Sequence, residues 1–403
     1  MRRTLVVCIV LLLTAIKAVA SGTITASDTT RLTSTRTYND PIDYNAVRYQ
    51  LMRASRKSFV QRVFESLTQP IINDERIKLD ASVGVGYTQE TNLAFVLSAT
   101  AAYQPKSHTE SSAATLAAMT SVNGFFRIQA KGVHNFKSAR SRILYDIGGG
   151  YMPTDFWGLG YQAADVNARA KYRERMAKAS LGYMYNIYRN LWLGGEIDAQ
   201  YSKVADADSL ATIYLDAART NLRRAYTTGV ALRIDYDNRD NAHTTTRGLY
   251  ISLYGQVRPR FMGDYSHDIW HLSFEADYFQ PLWRGGIMAI DIYGDFWSKQ
   301  TPWIYWPSVG GQNRMRGYYY GRYRDRNMIT AQLELRQNIY GPIGVCGWVG
   351  AGNVFGNDYN WSQTLPNIGL GARLALDGRT VLRIDYGWGK HSNGLIINVN
   401  EAF

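Results

Sequence analysis

Apolar and polar positions alternate along most of the chain. In 248–257, Leu249, Ile251, Leu253 and Val257 share one face, while Tyr250, Ser252, Tyr254 and Gln256 share the other. In 328–339, Ile329, Ala331, Leu333, Leu335 and Ile339 oppose Thr330, Gln332, Glu334, Arg336 and Asn338. The repeat returns in 287–296, where Met288, Ile290, Ile292 and Phe296 oppose Asp291 and Asp295. It returns again in 382–388, where Leu382, Ile384, Tyr386 and Trp388 oppose Arg383 and Asp385. A period of two marks β-strands. Soluble sheets share that period, so the discriminating feature is charge on the enclosed face, repeated in segment after segment.

Counting from Leu79 to Phe403 gives about sixteen such strands, an even number as membrane barrels favour. Their connections sort into two classes. Short turns are expected at Arg189-Asn190, Arg284-Gly285, Gly341-Pro342 and Gly378-Arg379, and long loops at Tyr151–Lys171, Lys203–Asn221 and Thr301–Asn327. Short turns at one rim and long loops at the other are what a transmembrane barrel requires. After residue 20 no apolar run reaches the roughly 20 residues of a spanning helix. Only helices and closed barrels satisfy every backbone hydrogen bond in lipid. The expected fold is therefore all-β: a transmembrane antiparallel β-barrel over 79–403, closed by a strand bearing Leu395, Ile397, Val399, Glu401 and Phe403. Glu401 interrupts the apolar face of that last strand.

The N-terminus reads differently. Arg2 and Arg3, the apolar run Leu5–Ile16 and the small residues Ala18-Val19-Ala20 predict a cleaved secretory signal peptide over 1–20. Residues 21–38 are rich in Ser and Thr and predict a flexible segment. In 45–67, Val47, Leu51, Phe59, Val63, Phe64 and Leu67 recur near helical spacing, with Arg48, Arg53, Arg56, Lys57 and Arg62 between them. That pattern predicts a short helix within 21–78, placed either in the barrel mouth or on the periplasmic leaflet.

Composition narrows the picture. The chain has 29 Tyr and 10 Trp beside 36 Gly and only 10 Pro, which suits strands, tight turns and aromatic interface belts. Its formal charge of +12 falls by three when Arg2, Arg3 and Lys17 leave with the signal peptide. A secreted barrel has no access to nucleic acid, so the excess points to lipopolysaccharide, anionic lipid or an arginine-lined lumen. Cys346 alone would remain, on the inner face beside Trp348, which allows neither an internal disulfide nor a Cys/His metal cluster. No catalytic signature is present, and no cofactor is expected. His267 and His271 share a face around Asp268, and packing explains them more simply than a metal. Gly148-Gly149-Gly150 reads as a turn.

The most informative stretch is Pro307-Ser308-Val309-Gly310-Gly311-Gln312-Asn313-Arg314-Met315-Arg316-Gly317-Tyr318, inside the longest late loop. It resembles the loop motif of the BamA/TamA family of outer-membrane assembly proteins, also called the bacterial surface antigen family. There an Arg-Gly-aromatic tripeptide folds back into the lumen and its arginine pairs with acidic residues of the inner wall. Other pieces match in order: Tyr236-Asp237-Asn238-Arg239-Asp240-Asn241 followed by Arg247-Gly248, Phe156-Trp157-Gly158-Leu159-Gly160, Glu334-Leu335-Arg336, Ala351-Gly352-Asn353-Val354-Phe355, and 369–373. The resemblance covers most of 80–403. It implies that Arg316, Gly317 and Tyr318 form an inward loop tip. Alternation places Glu334 on the inner face, so Arg316–Glu334 is the expected pair. The family's Asp on the next strand is replaced by Gly350, and Asp291, Asp295 and Asp385 are the candidate substitutes.

The resemblance implies an accessory role in inserting or moving polypeptide or lipid across the outer membrane. Insertion would use a weakly paired seam between 80–87 and 395–403, with Ser82, Val399 and Phe403 along it, because an exposed strand edge templates an incoming strand. The segment 21–78 is too short for a POTRA domain and lacks its pattern, so a barrel-only member is expected. Its expected partners are outer-membrane lipid and a periplasmic or membrane assembly protein, or a second copy of the chain. The alternatives are a structural or passive pore-forming barrel and, more remotely, an outer-membrane enzyme.

Overall fold

The computed structural model of the protein describes residues 70–73, 77–103, 112–136, 140–218, 223–376 and 380–403. The expected signal peptide, the 45–67 helix and the Gly378-Arg379 turn lie outside them. A short strand, β1 (Pro70–Asn73), comes first. Sixteen long strands follow: β2 (Ile77–Thr88), β3 (Asn92–Tyr103), β4 (Ser112–Ser121), β5 (Phe126–Asn135), β6 (Ser141–Phe156), β7 (Ala170–Tyr188), β8 (Leu191–Ala205) and β9 (Arg224–Asp237) form one half. The other half is β10 (Gly248–Arg258), β11 (Ile269–Trp283), β12 (Gly286–Trp297), β13 (Asn327–Tyr340), β14 (Ile343–Phe355), β15 (Leu365–Ala375), β16 (Val381–Gly389) and β17 (Ser392–Val399). Each pairs antiparallel with its chain neighbours, and β17 returns to β2, so the sheet closes into a sixteen-stranded barrel. No described helix is long and apolar enough to cross a membrane.

Alternation explains the wall. On β13, Leu333 and Leu335 are exposed whereas Gln332, Glu334 and Arg336 are buried. Val345 and Val349 of β14, and Ile368 and Leu370 of β15, continue the same exposed apolar band. A belt this extensive on a water-facing surface would drive association, and in a bilayer it is the solvated face.

Strands β6, β7 and β8 have 16, 19 and 15 residues. A spanning strand needs about 9–11 residues, so these three project past the membrane. The expected loop at Tyr151–Lys171 is correspondingly shorter, because Tyr151 to Phe156 stay paired with β7 from Arg175 to Ala170. The projecting ends carry two helices, α1 (Tyr161–Val166) and α2 (Ser209–Ala217). Phe156, Tyr172, Val204, Leu215 and Trp303 form an apolar core under α2. A second core joins Trp157, Val309, Met315, Tyr318, Tyr323 and Leu365. Both draw on the loop after β12, so that loop is packed into the barrel instead of lying on its surface.

Candidate functional site: an inward loop and the barrel seam

The loop between β12 and β13 turns inward at the short 3-10 helix Trp303–Tyr305 and is held double by a bridge between Ser308 and Arg324. At its tip Arg316 is fully buried. Its Nη1 donates to Asp385 Oδ2 at 2.7 Å, its Nη2 donates to Glu334, and its guanidinium lies 3.7 Å from the centre of the Trp348 ring. Burying a guanidinium is costly unless acceptors surround it, and here two carboxylates and an aromatic face do so.

Those carboxylates are shared. Arg336 Nε donates to Glu334 Oε1 at 2.7 Å. Arg373 Nη1 donates to Asp385 Oδ1 at 2.5 Å, and Arg383 Nη1 donates to Asp385 Oδ2 at 3.2 Å. Arg373 Nε also reaches Glu401 Oε2 at 2.7 Å, and Arg336 Nη2 reaches the Phe403 main-chain oxygen at 3.0 Å. The cluster holds four guanidiniums and three side-chain carboxylates, all behind the wall of β13 to β16.

Gly317 fits where no other residue would. Its φ is 103°, and a Cβ there would stand 2.4 Å from the Gly387 carbonyl. On β16, a Cβ at Gly387 would meet the Arg316 oxygen at 2.0 Å, and one at Gly389 would meet the Tyr318 ring at 2.2 Å. Two inward glycines thus make the slot for the tip. Tyr318 OH donates to the Pro366 oxygen at 2.6 Å and accepts from the Lys390 amide at 2.7 Å.

Of the other expected acids, Asp291 takes Arg314 (Nε to Oδ1, 2.9 Å) instead of Arg316. Asp295 takes His271 and Tyr293. Gly350 lies between Gln332 and Asn367 across the sheet, and Trp348 and Asp385 complete the Arg316 cradle from neighbouring strands. Glu275, Asp277 and Asp291 gather ligand atoms within 4.8 Å, an arrangement that suits a cation. Arg314 sits on two of them, with Nη2 2.5 Å from Glu275 Oε1. His271 stacks on Trp297 with ring centres 3.8 Å apart, while His267 contacts Ser266. Cys346 is buried and free. Around the Asp237–Arg239 pair (2.7 Å), 236–248 closes into a rim turn.

The seam is the second feature. β2 pairs with β3 along its full length, from Ile77 with Tyr103 to Thr88 with Asn92. β16 pairs with β17 from Leu382 with Val399 to Gly389 with Ser392. Between β17 and β2 the ladder has a single pair, Ile397 with Tyr87. The expected seam strand through Phe403 stops early. β17 ends at Val399, Asn400 adopts φ 71°, and the tail leaves the wall. Glu401 and Phe403 then bind Arg373 and Arg336 inside, and the Phe403 ring packs 6.2 Å from Phe279. Ser82 remains in β2, with its hydroxyl 2.7 Å from that of Ser98.

The loop tip closes the outer end of this seam. Gln89 Nε2 donates to the oxygens of Gly317 (3.0 Å) and Asn393 (2.7 Å). Ser392 Oγ donates to the Gly317 oxygen at 2.7 Å, and the Tyr320 amide donates to Glu90 Oε1 at 2.7 Å. The turn after β2 is thereby tied to the start of β17 through Gly317. Alternation placed Arg336, Arg383 and Trp348 on the inner face but did not show that they converge. Arg373 lay in the matching 369–373 segment but was given no role, and Glu401, Gln89 and the Gly387–Gly389 slot carried no motif.

The family model for the Omp85 superfamily domain matches residues 73–396. The chain belongs to the Omp85 superfamily. Similar solved structures agree on the fold. BamA from Haemophilus ducreyi lacking POTRA domains 1–3 matches with a TM-score of 0.58 at 12% identity, over 94% of this chain and 82% of that one. CdiB from Acinetobacter baumannii gives 0.55 at 13% identity, over 81% of this chain and 60% of that one. CdiB from Escherichia coli gives 0.56 at 11%, over 81% and 63%. The chain thus spans less than two thirds of either CdiB. No curated protein matches it in sequence. This Omp85 barrel is an outer-membrane protein by family and fold.

Proposed function

We propose that this Omp85 barrel inserts or translocates polypeptide at the outer membrane, using the β2–β17 seam as the working edge. The single ladder pair at Ile397 and Tyr87 carries the reading. A ladder hydrogen bond contributes about 0.5–1.5 kcal/mol net in water and more in lipid. Opening this seam therefore costs a small fraction of opening any neighbouring pair of strands, and it exposes a β2 edge able to take a new strand. The inward loop fills the lumen beside the seam and ties its outer end through Gln89, which suits a regulated edge better than an open pore. Its partners on this reading are outer-membrane lipid and a periplasmic or membrane assembly protein, or a second copy of the chain.

The test is a disulfide across the seam in a Cys346→Ser background. Continuing the Ile397–Tyr87 register puts Val399 opposite Val85, so Val85→Cys/Val399→Cys locks the edge, with Leu333→Cys/Val349→Cys on β13 and β14 as control. The assay is insertion of an unfolded outer-membrane barrel into vesicles containing the purified protein. Loss of insertion with the seam locked, restored by reductant and absent in the control, is the expected result. Unchanged insertion overturns the reading, and continuous conductance by the locked barrel favours a passive pore.

A further inference from the structure

The inner-rim end of the β2 seam edge is already occupied. β1 lies antiparallel on β2, with Pro70 opposite Asp80, Ile72 opposite Leu79 and Asn73 opposite Lys78. A strand has two edges, and β3 holds the other one throughout. β1 therefore sits on the edge that faces β17. The tail of β17 does not line the stretch next to it either, because the chain turns away at Asn400 and is pinned to Arg373 and Arg336.

The seam edge of β2 is thus divided in three. Tyr87 is bridged to Ile397, residues 78–80 are covered by β1, and Ala81 to Gly86 lie between with no partner strand on that edge among the described residues. At about 3.4 Å per residue that open stretch is roughly 20 Å long. A transmembrane strand needs about 9–11 residues. An incoming spanning strand therefore cannot pair in full until β1 leaves.

We propose that Pro70–Asn73 is a displaceable cover strand for the seam, resting on β2 until an incoming β-strand takes its place. The inference rests on the seam reading above and adds its regulation. Three features suit the role. Only three residues separate Asn73 from Ile77, so re-pairing is local and the cover has a high effective concentration. Its ladder is short, so a longer strand outcompetes it. Pro70 has no N–H to offer a further strand, which blunts the outer edge of the cover.

The experiment uses the full chain in vesicles, again with Cys346→Ser. Ile72→Cys/Leu79→Cys locks the cover, and Ile72→Pro weakens its ladder. The probe is a synthetic peptide with the sequence of residues 392–403 carrying a photocrosslinker, with its attachment to β2 mapped by mass spectrometry. The expected result is ready disulfide formation between 72 and 79 at rest, several-fold less labelling of Ala81–Gly86 when locked, and several-fold more in Ile72→Pro. Equal labelling in all three overturns the cover. So does failure of the 72–79 disulfide in a barrel whose 333–349 control forms. Neither substitution touches Val85 or Val399, so the seam-lock result stands or falls separately.

Discussion

Removing Asp385 should damage the barrel far more than removing Arg316, although the two are hydrogen-bonded partners. In an isolated buried pair, deleting either member leaves an uncompensated charge and costs about 3–5 kcal/mol. The cluster here is not an isolated pair. Asp385 accepts from Arg316, Arg373 and Arg383, and Asp385→Asn leaves four guanidiniums facing Glu334 and Glu401 alone. Its cost belongs at the top of that range, about 5 kcal/mol. Arg316→Met leaves Arg336, Arg373 and Arg383 facing Glu334, Asp385 and Glu401, so no acid is stranded. The main loss is the contact with Trp348, about 2 kcal/mol for a desolvated cation–π pair. The gap of about 3 kcal/mol is a factor of more than 100 in the folding equilibrium. Urea unfolding in vesicles, followed by tryptophan fluorescence, measures both. Equal costs within about 0.5 kcal/mol would refute the shared-charge reasoning and leave a simple ion pair.

Gly389→Ala should expel the Tyr318 ring from its slot at a cost of about 1–3 kcal/mol, read as new protease cleavage near the loop tip. Gln89→Ala should loosen the outer end of the seam without unfolding the barrel, lowering the oxidation rate of the Val85/Val399 cysteine pair. Outside the wall, Asp165 of α1 accepts from Lys390 at 3.0 Å, which holds the Asp165 carboxyl below its ordinary 3.8, while hydrogen bonds to the Tyr161 hydroxyl first and to Asp165 second hold Lys390 above its ordinary 10.5. A depressed acid adds stability above its unfolded value and loses it as pH falls through the folded one. A raised lysine adds stability below 10.5 and loses it as pH rises through its folded value. Asp165→Asn should therefore cost up to about 1 kcal/mol near neutrality, the pair being partly exposed. The difference should vanish once the pH falls well below 3.8.

The barrel was legible because a period of two fixes which face each side chain takes, whatever its partner. That parity alone put Glu334, Asp385 and Arg383 inside and Leu333 and Leu335 outside. It says nothing of register or of strand tilt, so beyond the expected Arg316–Glu334 pair, which acid meets which arginine was open. Asp291 and Asp295 had the right parity and meet Arg314 and His271 instead of Arg316. Glu401 looked like a flaw on an apolar face. It is on no face at all, because Asn400 swings it to Arg373. The cover strand was unreadable for a different reason: four residues are too few for a periodic signal, and alternation does not say which edge of β2 stays free for them.

The central claim is that the β2–β17 seam is held by a single ladder pair and a loop clamp, not by a continuous ladder. The most direct measurement is the oxidation rate of Val85→Cys/Val399→Cys in native outer membranes, against Leu333→Cys/Val349→Cys in the same Cys346→Ser background. A seam that locks at least several-fold more slowly than the control, and more slowly still in the presence of Gln89→Ala, is the predicted result. Equal rates for the two pairs, unaffected by Gln89→Ala, would mean a fully zipped barrel and contradict the account.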